Sequence, residues 1–220
     1  FKIIDMNDKE IPYQIKRIQK NSFYKILTGM QNQKGDIYTV TFDAQLPPNA
    51  YAQYYIKPSE KPTRYLQKTE KEHLRAENEF IVLDINNDGT FNIHDKKTDR
   101  TYRKLNSFVD NSEIGDGWRH VSLINDILSY SNGACKRIEK VNDGPCSVTF
   151  KIVTLLEIPD SVTSDSGDYK RSDEYIKLEI TSYVTLGKSN RWVDVETVIN
   201  NNAHDHRLRA LFPTGIDSDE

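Results

Sequence analysis

The stretch Ile176-Lys-Leu178-Glu-Ile180-Thr-Ser182-Tyr-Val184-Thr-Leu186 decides the fold. Every second residue is apolar, Ser182 excepted, and the residues between are Lys, Glu, Thr and Tyr. A period of two places the two sets on opposite faces of a strand, so this is a long strand with one face in a core. Downstream, Gly187-Lys-Ser-Asn190 turns the chain into Arg191–Ile199, where Val193, Val195 and Ile199 share a side. Upstream, Val148, Phe150, Ile152, Thr154 and Leu156 line one face of a second long strand. It pairs with Cys135–Lys140 across Asn142-Asp143-Gly144-Pro145. The polar segment Asp160–Asp173 reads as a loop, and Phe108–His120 reads as an irregular acidic stretch carrying Gly115 and Gly117.

Further upstream, Phe80–Ile85 and Thr90–His94 flank Asn86-Asn87-Asp88-Gly89. An Asp-Gly pair between strand-like runs is a strong hairpin signal. A turn at Lys96–Asp99 leads to Thr101–Leu105. The first sixty residues hold about five short strands: Phe1–Ile4, Pro12–Gln19, Ser22–Leu27, Ile37–Phe42 and Tyr51–Ile56, with a loop around Gly29 and Gly35. Such a set suits a small antiparallel sandwich. Lys57–Glu77 breaks the pattern with two prolines, many Lys and Glu and few apolar residues, and reads as a connector. The expectation is an all-β protein with no long helix: a small β-sandwich over 1–57, a linker over 58–76, and the first part of a larger antiparallel β-sandwich over 77–220.

Composition excludes several functions. The 30 basic and 33 acidic residues are well mixed and leave a net charge of -3, which gives no electrostatic case for nucleic acid or an anionic membrane. No apolar run approaches the ~18 residues of a membrane span, and no signal peptide is present. The chain opens on Phe1, already in a strand-like pattern, so it is expected to be a piece of a longer protein. Cys135 and Cys146 could bridge a hairpin, but two free thiols are the plainer reading.

Four groups of residues carry candidate chemistry. Asp84, Asn86, Asp88, Gly89 and Asp95 match the spacing of a calcium loop, but strands rather than helices flank them, which favours a hairpin turn. His204 and His206 would share a strand face and could supply two zinc ligands. No third ligand is near, so solvated or paired histidines are the favoured reading. Arg207 and Arg209 share the face opposite Leu208, Ala210 and Phe212, which suits carboxylate pairing or recognition of an anionic or hydroxyl-rich ligand. Gly115-Asp116-Gly117-Trp118 sets an indole on a flexible loop, where it could stack on a sugar or plug a sandwich edge. There is no nucleophile elbow, phosphate loop or dinucleotide fingerprint.

Several motifs go further. Glu77-Asn-Glu-Phe80, Asp88-Gly-Thr90, Asp95-Lys-Lys-Thr98, Gly115-Asp-Gly-Trp118 and, above all, Asn200–Thr214 with Asp205-His-Arg-Leu-Arg209 and Leu211-Phe-Pro-Thr214 resemble the bacterial branch of glycoside hydrolase family 38, the α-mannosidases. Ile11-Pro-Tyr-Gln14 and Phe42-Asp-Ala-Gln-Leu-Pro47 look like the small β domain before them. The resemblance implies a retaining glycosidase with a carboxylate nucleophile, a second carboxyl as acid and base, and a zinc ion that orients the sugar hydroxyls. In the family those groups sit in an N-terminal α/β domain and a helical domain, so no catalytic or metal residue carries over to this sequence. What carries over is a cleft wall that meets the α-mannoside. Arg209 is the first choice for a sugar contact and Arg207 the second, with Asp116 and Trp118 on the loop. The family usually has a Tyr at the position of Trp118, which can stack but offers no phenolic hydroxyl. The implied partners are an α-mannoside, with linkage, aglycone and any modification on a glycerate or phosphate side left open, and the N-terminal catalytic domain of the same chain; the implied location is the bacterial cytoplasm. A non-catalytic carbohydrate-binding module and a structural assembly domain are the alternatives.

Overall fold

A computed structural model describes residues 1–25, 32–60, 74–165 and 167–216. The described residues form eighteen strands and no helix, and the strand pairings are antiparallel. The chain divides into two units. The first is Phe1–Thr69 with Asp143–Ser147, and the second is Glu70–Asn142 with Val148–Glu220.

In the first unit β1 (Lys2–Ile4) pairs on one side with β2 (Glu10–Ile11) and on the other with β5 (Tyr55–Lys57). A second sheet is the ribbon of β3 (Tyr13–Lys25) and β4 (Asn32–Phe42). The two short strands expected over Pro12–Gln19 and Ser22–Leu27 are therefore one long strand. It is broken in register rather than in pairing: shifts fall at Ile15/Arg17 and Gln19/Ser22, where Asn21 has φ 52° and its N–H donates to Asp36. Extra residues of this kind bend a strand without ending it. Ile26–Leu27 and the loop at Gly29 lie outside the described residues. Ile3, Ile4 and Tyr13 are buried, with Tyr13 stacked on Phe1 at 4.8 Å. Gln14 holds the segment Asp143–Ser147. Its Nε2 donates to Ser147 O, and its Oε1 accepts from Cys146 N and Ser147 N. Gly144 is required there, because a Cβ would stand 2.5 Å from the Gln14 amide carbon.

The first described strand of the second unit is β6 (Arg75–Glu77), so the last residues read as linker are already in a sheet. Positions 61–73 of that linker lie outside the described residues. β6 pairs with β7 (Ile81–Ile85), which forms a hairpin with β8 (Phe91–Asp95), followed by β9 (Arg100–Leu105). The turn between β7 and β8 is the Asn86–Gly89 segment, with Gly89 at φ 85°. Asp88 accepts from Thr90 N, Thr90 Oγ1 and Lys104 Nζ. Burial alone would raise the Asp88 carboxyl, but these donors outweigh it and hold it below its usual range. Asp84 is bonded to Arg75, and the Asn86 and Asn92 amides bond each other. The oxygens that fit a calcium loop by spacing are thus committed to a hairpin.

Facing this sheet is a second one in the order β12 (Cys135–Asp143), β13 (Ser147–Pro159), β16 (Tyr175–Gly187), β17 (Val193–Asn200). β13 and β16 are long enough to serve two cores. Phe150 and Ile152 of β13 and Val184 and Leu186 of β16 join Leu83, Ile85 and Phe91 in the first core. Leu156 and Ile158 with Leu178 and Ile180 form the second core against Phe108 and Ala203. The alternation read from Ile176 to Leu186 is thus one face of β16 running under both.

Two segments depart from expectation. The polar loop Asp160–Asp173 contains a hairpin of β14 (Val162–Asp165) and β15 (Asp168–Arg171). Phe108–His120 is not irregular at its start. Ser107–Ser112 is β10, the centre of a sheet in the order β11 (Ser129–Tyr130), β10, β18 (His206–Leu211), and all its residues but Ser107 are buried. Asp110, Asn111 and Ser112 hide it from a hydrophobic pattern, because their burial rests on individual partners. No disulfide joins Cys135 and Cys146.

Candidate functional site

β18 carries the motif His206–Arg209, and its register with β10 sets what each side chain faces. Ser112 opposes His206, Asn111 opposes Arg207, Asp110 opposes Leu208, and Val109 opposes Arg209. Opposed residues in an antiparallel pair point to the same face. One face therefore holds His206, Leu208, Asp110 and Phe108, with Leu208 packed on the second core. The other holds Arg207, Arg209, Asn111 and Val109. Tyr130 joins that face, because Val109 also opposes Tyr130. The row Arg209–Val109–Tyr130 crosses all three strands.

The two arginines differ. Arg209 is half-buried and donates from Nη2 to Asn111 Oδ1 at 3.2 Å, while its Nε is buried without a partner among the described residues. Arg207 is exposed and makes no ion pair among the described residues. Leu208 anchors the strand as alternation requires. Ala210 is exposed, however, and Phe212 lies beyond the strand, edge-on to Phe91 and partly exposed.

The face toward the core holds a buried ion cluster. Asp110 is fully buried and accepts from Arg171 Nη2 and from His206 Nδ1, each at 2.6 Å. His206 Nε2 meets Asn201 Oδ1 at 3.0 Å, and the same oxygen accepts from Ala203 N. Both ring nitrogens of His206 are thus engaged. Asp205 has φ 51° and sits before the strand, so His204 is exposed and does not share a strand face with His206. No group of three His, Cys, Asp or Glu able to hold a metal exists among the described residues. These residues do not fit a zinc ion.

The loop after β10 is built by carboxylates. Glu113 accepts from Val121 N and Gly115 N and meets His120 Nδ1. Those donors, Val121 N first and His120 next, lower the Glu113 carboxyl to about 2. Asp116 accepts from Trp118 N and Arg119 N, so its role in the structure is to shape the tip. A Cβ on Gly115 would stand 1.8 Å from Arg119 O, which makes glycine obligatory there. Trp118 is 93% exposed and does not plug a sandwich edge. The loop leaves β10 beside the start of β18, one register position from Arg207 and three from Arg209. No contact among the described residues links Asp116 or Trp118 to either arginine. Asn111 and Tyr130 belong to the arginine face and were missed in the sequence. A strand assignment for Ser107–Ser112 would have found the first, but nothing in the sequence gives the register that finds the second.

The second unit is thus all-β, with an arginine-bearing sheet face on β10 and β18 and an indole on a carboxylate-shaped loop. Residues 76–220 match the C-terminal domain model of the family 38 glycosyl hydrolases, and the chain belongs to that family. A Halalkalibacterium halodurans protein inferred to be a mannosylglycerate hydrolase is 27% identical over 150 residues, covering 62% of this chain and 17% of that protein. A family 38 glycosyl hydrolase from Enterococcus faecalis superposes with a TM-score of 0.79 at 25% identity over 99% of this chain and 27% of that one. An α-mannosidase from Enterococcus faecalis V583 shares the fold, with a TM-score of 0.78 over 98% of this chain and 26% of that one. The chain spans about a quarter or less of the length of these proteins.

Proposed function

We propose that the chain is the β portion of a retaining, zinc-dependent glycosidase acting on α-mannosides, and that it walls the substrate cleft. The groups that break the bond and hold zinc lie in polypeptide outside it. The observation that carries this reading is the family match across nearly all of the second unit, from 76 to 220. The mannoside assignment draws on the activities for which the two relatives are named. Within the wall, Arg209 is the sugar contact, positioned by Asn111, with Arg207 beside it on the same face. Trp118 offers an apolar ring for stacking, and Asp116 holds the loop that presents it.

The test is Arg209→Ala in the full-length enzyme. A hydrogen bond from a charged donor contributes about 1.5–3 kcal/mol, so kcat/KM for a chromogenic α-mannoside should fall roughly ten- to hundredfold. Zinc content should stay unchanged. Full activity in the variant would remove Arg209 from the cleft, and loss of zinc would return the His204–Arg209 segment to a metal role. Trp118 is also the one observation favouring a free-standing carbohydrate-binding module. Calorimetric titration of the 220-residue chain with mannose oligosaccharides separates the two: clear binding supports the module, and no heat supports a site shared with other polypeptide.

A further inference from the structure

The core-facing side of β10 and β18 gathers Asp110, Arg171, His206 and Asp126, and its hydrogen bonds leave the His206 ring one protonation state. Asp110 offers one oxygen to Arg171 Nη2 and the other to His206 Nδ1, each at 2.6 Å. The Arg171 side chain is 1% exposed, and a cation so deeply buried needs a carboxylate opposite it, not a neutral acid. Asp110 Oδ2 is therefore an acceptor, and Nδ1 must donate to it. Across the ring, Nε2 meets Asn201 Oδ1 at 3.0 Å. That atom is the amide oxygen and not the nitrogen, because Ala203 N–H donates to it at 3.1 Å. Nε2 must donate as well. A neutral imidazole has one N–H and an imidazolium has two.

The charges nearby agree. Ser112 opposes His206 in register, and its N and Oγ donate to Asp126 Oδ2, which sets a second carboxylate beside this face. A cationic His206 and Arg171 balance Asp110 and Asp126, whereas a neutral ring leaves one negative charge in excess. The other charged groups of the elements packed here point elsewhere. Lys170 alternates with Arg171 on β15 and bonds Asp173. Glu157 of β13 and Lys177 and Glu179 of β16 alternate with the core residues and are exposed. Arg207 and Arg209 occupy the opposite face of β18. The Asp160 carboxyl accepts from Ser161 Oγ, and His204 and Asp205 are exposed.

We propose that His206 is held as an imidazolium and acts as a proton-operated latch on β18. Asn201 lies in the connection from β17 to β18, and β18 is the outer strand of its sheet, paired with β10. The charged ring ties that connection through Asn201 to the centre of the sheet through Asp110. When the ring loses a proton, one of the two bonds must go. A carboxylate is the stronger acceptor, so Asp110 keeps the remaining N–H and the bond to Asn201 is lost. The turn Asn201–Asp205 then loosens at the entry to the strand that carries Arg207 and Arg209. The latch is closed at the lower pH and open at the higher.

The test is histidine-selective nitrogen-15 NMR of the 220-residue chain, with the His206 ring identified by its loss in His206→Gln. At about pH 7.5 a free histidine is roughly one-tenth protonated, whereas the His206 ring should carry both protons in more than about nine-tenths of molecules. Asp110→Asn should leave a single N–H on the ring at that pH. Asn201→Asp, at an exposed position, should keep both protons on the ring to higher pH. As the ring loses its proton, exchange of the Ala203 amide should quicken by about tenfold or more beyond its intrinsic rise with pH, because its acceptor Asn201 is no longer held. A ring with one bare nitrogen at about pH 7.5 would overturn the proposal. So would Ala203 exchange that follows the intrinsic rise alone. Should Asp110→Asn fail to fold, Asn201→Asp decides: an unchanged ring titration there would overturn the latch. None of these readouts uses catalysis, so the result is independent of the mannoside reading.

Discussion

Replacing Asp110 with Ala should strongly destabilise the second unit. Asp110 is wholly buried and bonds to the Arg171 guanidinium at Nη2 and to His206 Nδ1, each at 2.6 Å. The Arg171 side chain is 1% exposed, and its Nε and Nη1 already lack partners among the described residues. Without Asp110 the one hydrogen bond left to its side chain among the described residues is to Pro159 O at 3.5 Å. Removing one member of a buried pair costs about 3–5 kcal/mol, because the other charge stays in the interior. For a chain of about 150–250 residues each kcal/mol moves Tm by about 2–4 °C, so the fall should be roughly 6–20 °C. Urea titration followed by far-ultraviolet dichroism measures it, with near-ultraviolet dichroism as the check on two-state behaviour. The double variant Asp110→Leu/Arg171→Met removes both charges and should be less destabilised than Asp110→Ala. A loss under about 1 kcal/mol for Asp110→Ala, or a double variant worse than the two singles combined, would refute a tightly buried ion pair.

Glu113 sets an acid limit on the loop. Its folded carboxyl sits at about 2, below its ordinary 4.5, so its contribution is complete above pH about 4.5 and is lost as pH falls toward about 2. Trp118 fluorescence in a Trp192→Phe background should report that transition, and Glu113→Gln should remove it; the same titration in both proteins would contradict the assignment. Gly115→Ala should speed exchange of the loop amides and lower stability by about 1–3 kcal/mol, since the new Cβ meets the Arg119 carbonyl. Gly117→Ala has open space and should stay within about 0.5 kcal/mol on the same melting curves. Equal effects at the two glycines would mean the loop is not closed as described.

The two long strands were legible because their faces alternate against an apolar core. Val148–Leu156 and Ile176–Leu186 needed no partner to be read. The hairpin at Asn86–Gly89 was legible from turn chemistry. β10 was not, because Asp110, Asn111 and Ser112 are buried by Arg171, Arg209 and Asp126, residues distant in sequence. A pattern reader sees polar residues and infers a loop. The histidines are paired or solvated, as the sequence favours, but they do not share a strand face: the left-handed turn at Asp205 separates His204 from His206, and Asp110 holds the His206 ring. Arg209 was legible as one face of an alternating strand, but the register that adds Asn111 and Tyr130 is set by long-range pairing.

We propose that this chain shapes a mannoside cleft and that the bond-breaking groups lie outside it. Hydrolysis of a chromogenic α-mannoside by the purified 220-residue chain, with and without added zinc, tests it beside the full-length enzyme. The account predicts turnover by the full-length enzyme and none by the chain alone. Zinc-dependent turnover by the chain alone, abolished by a substitution within it such as Arg209→Ala, would contradict it.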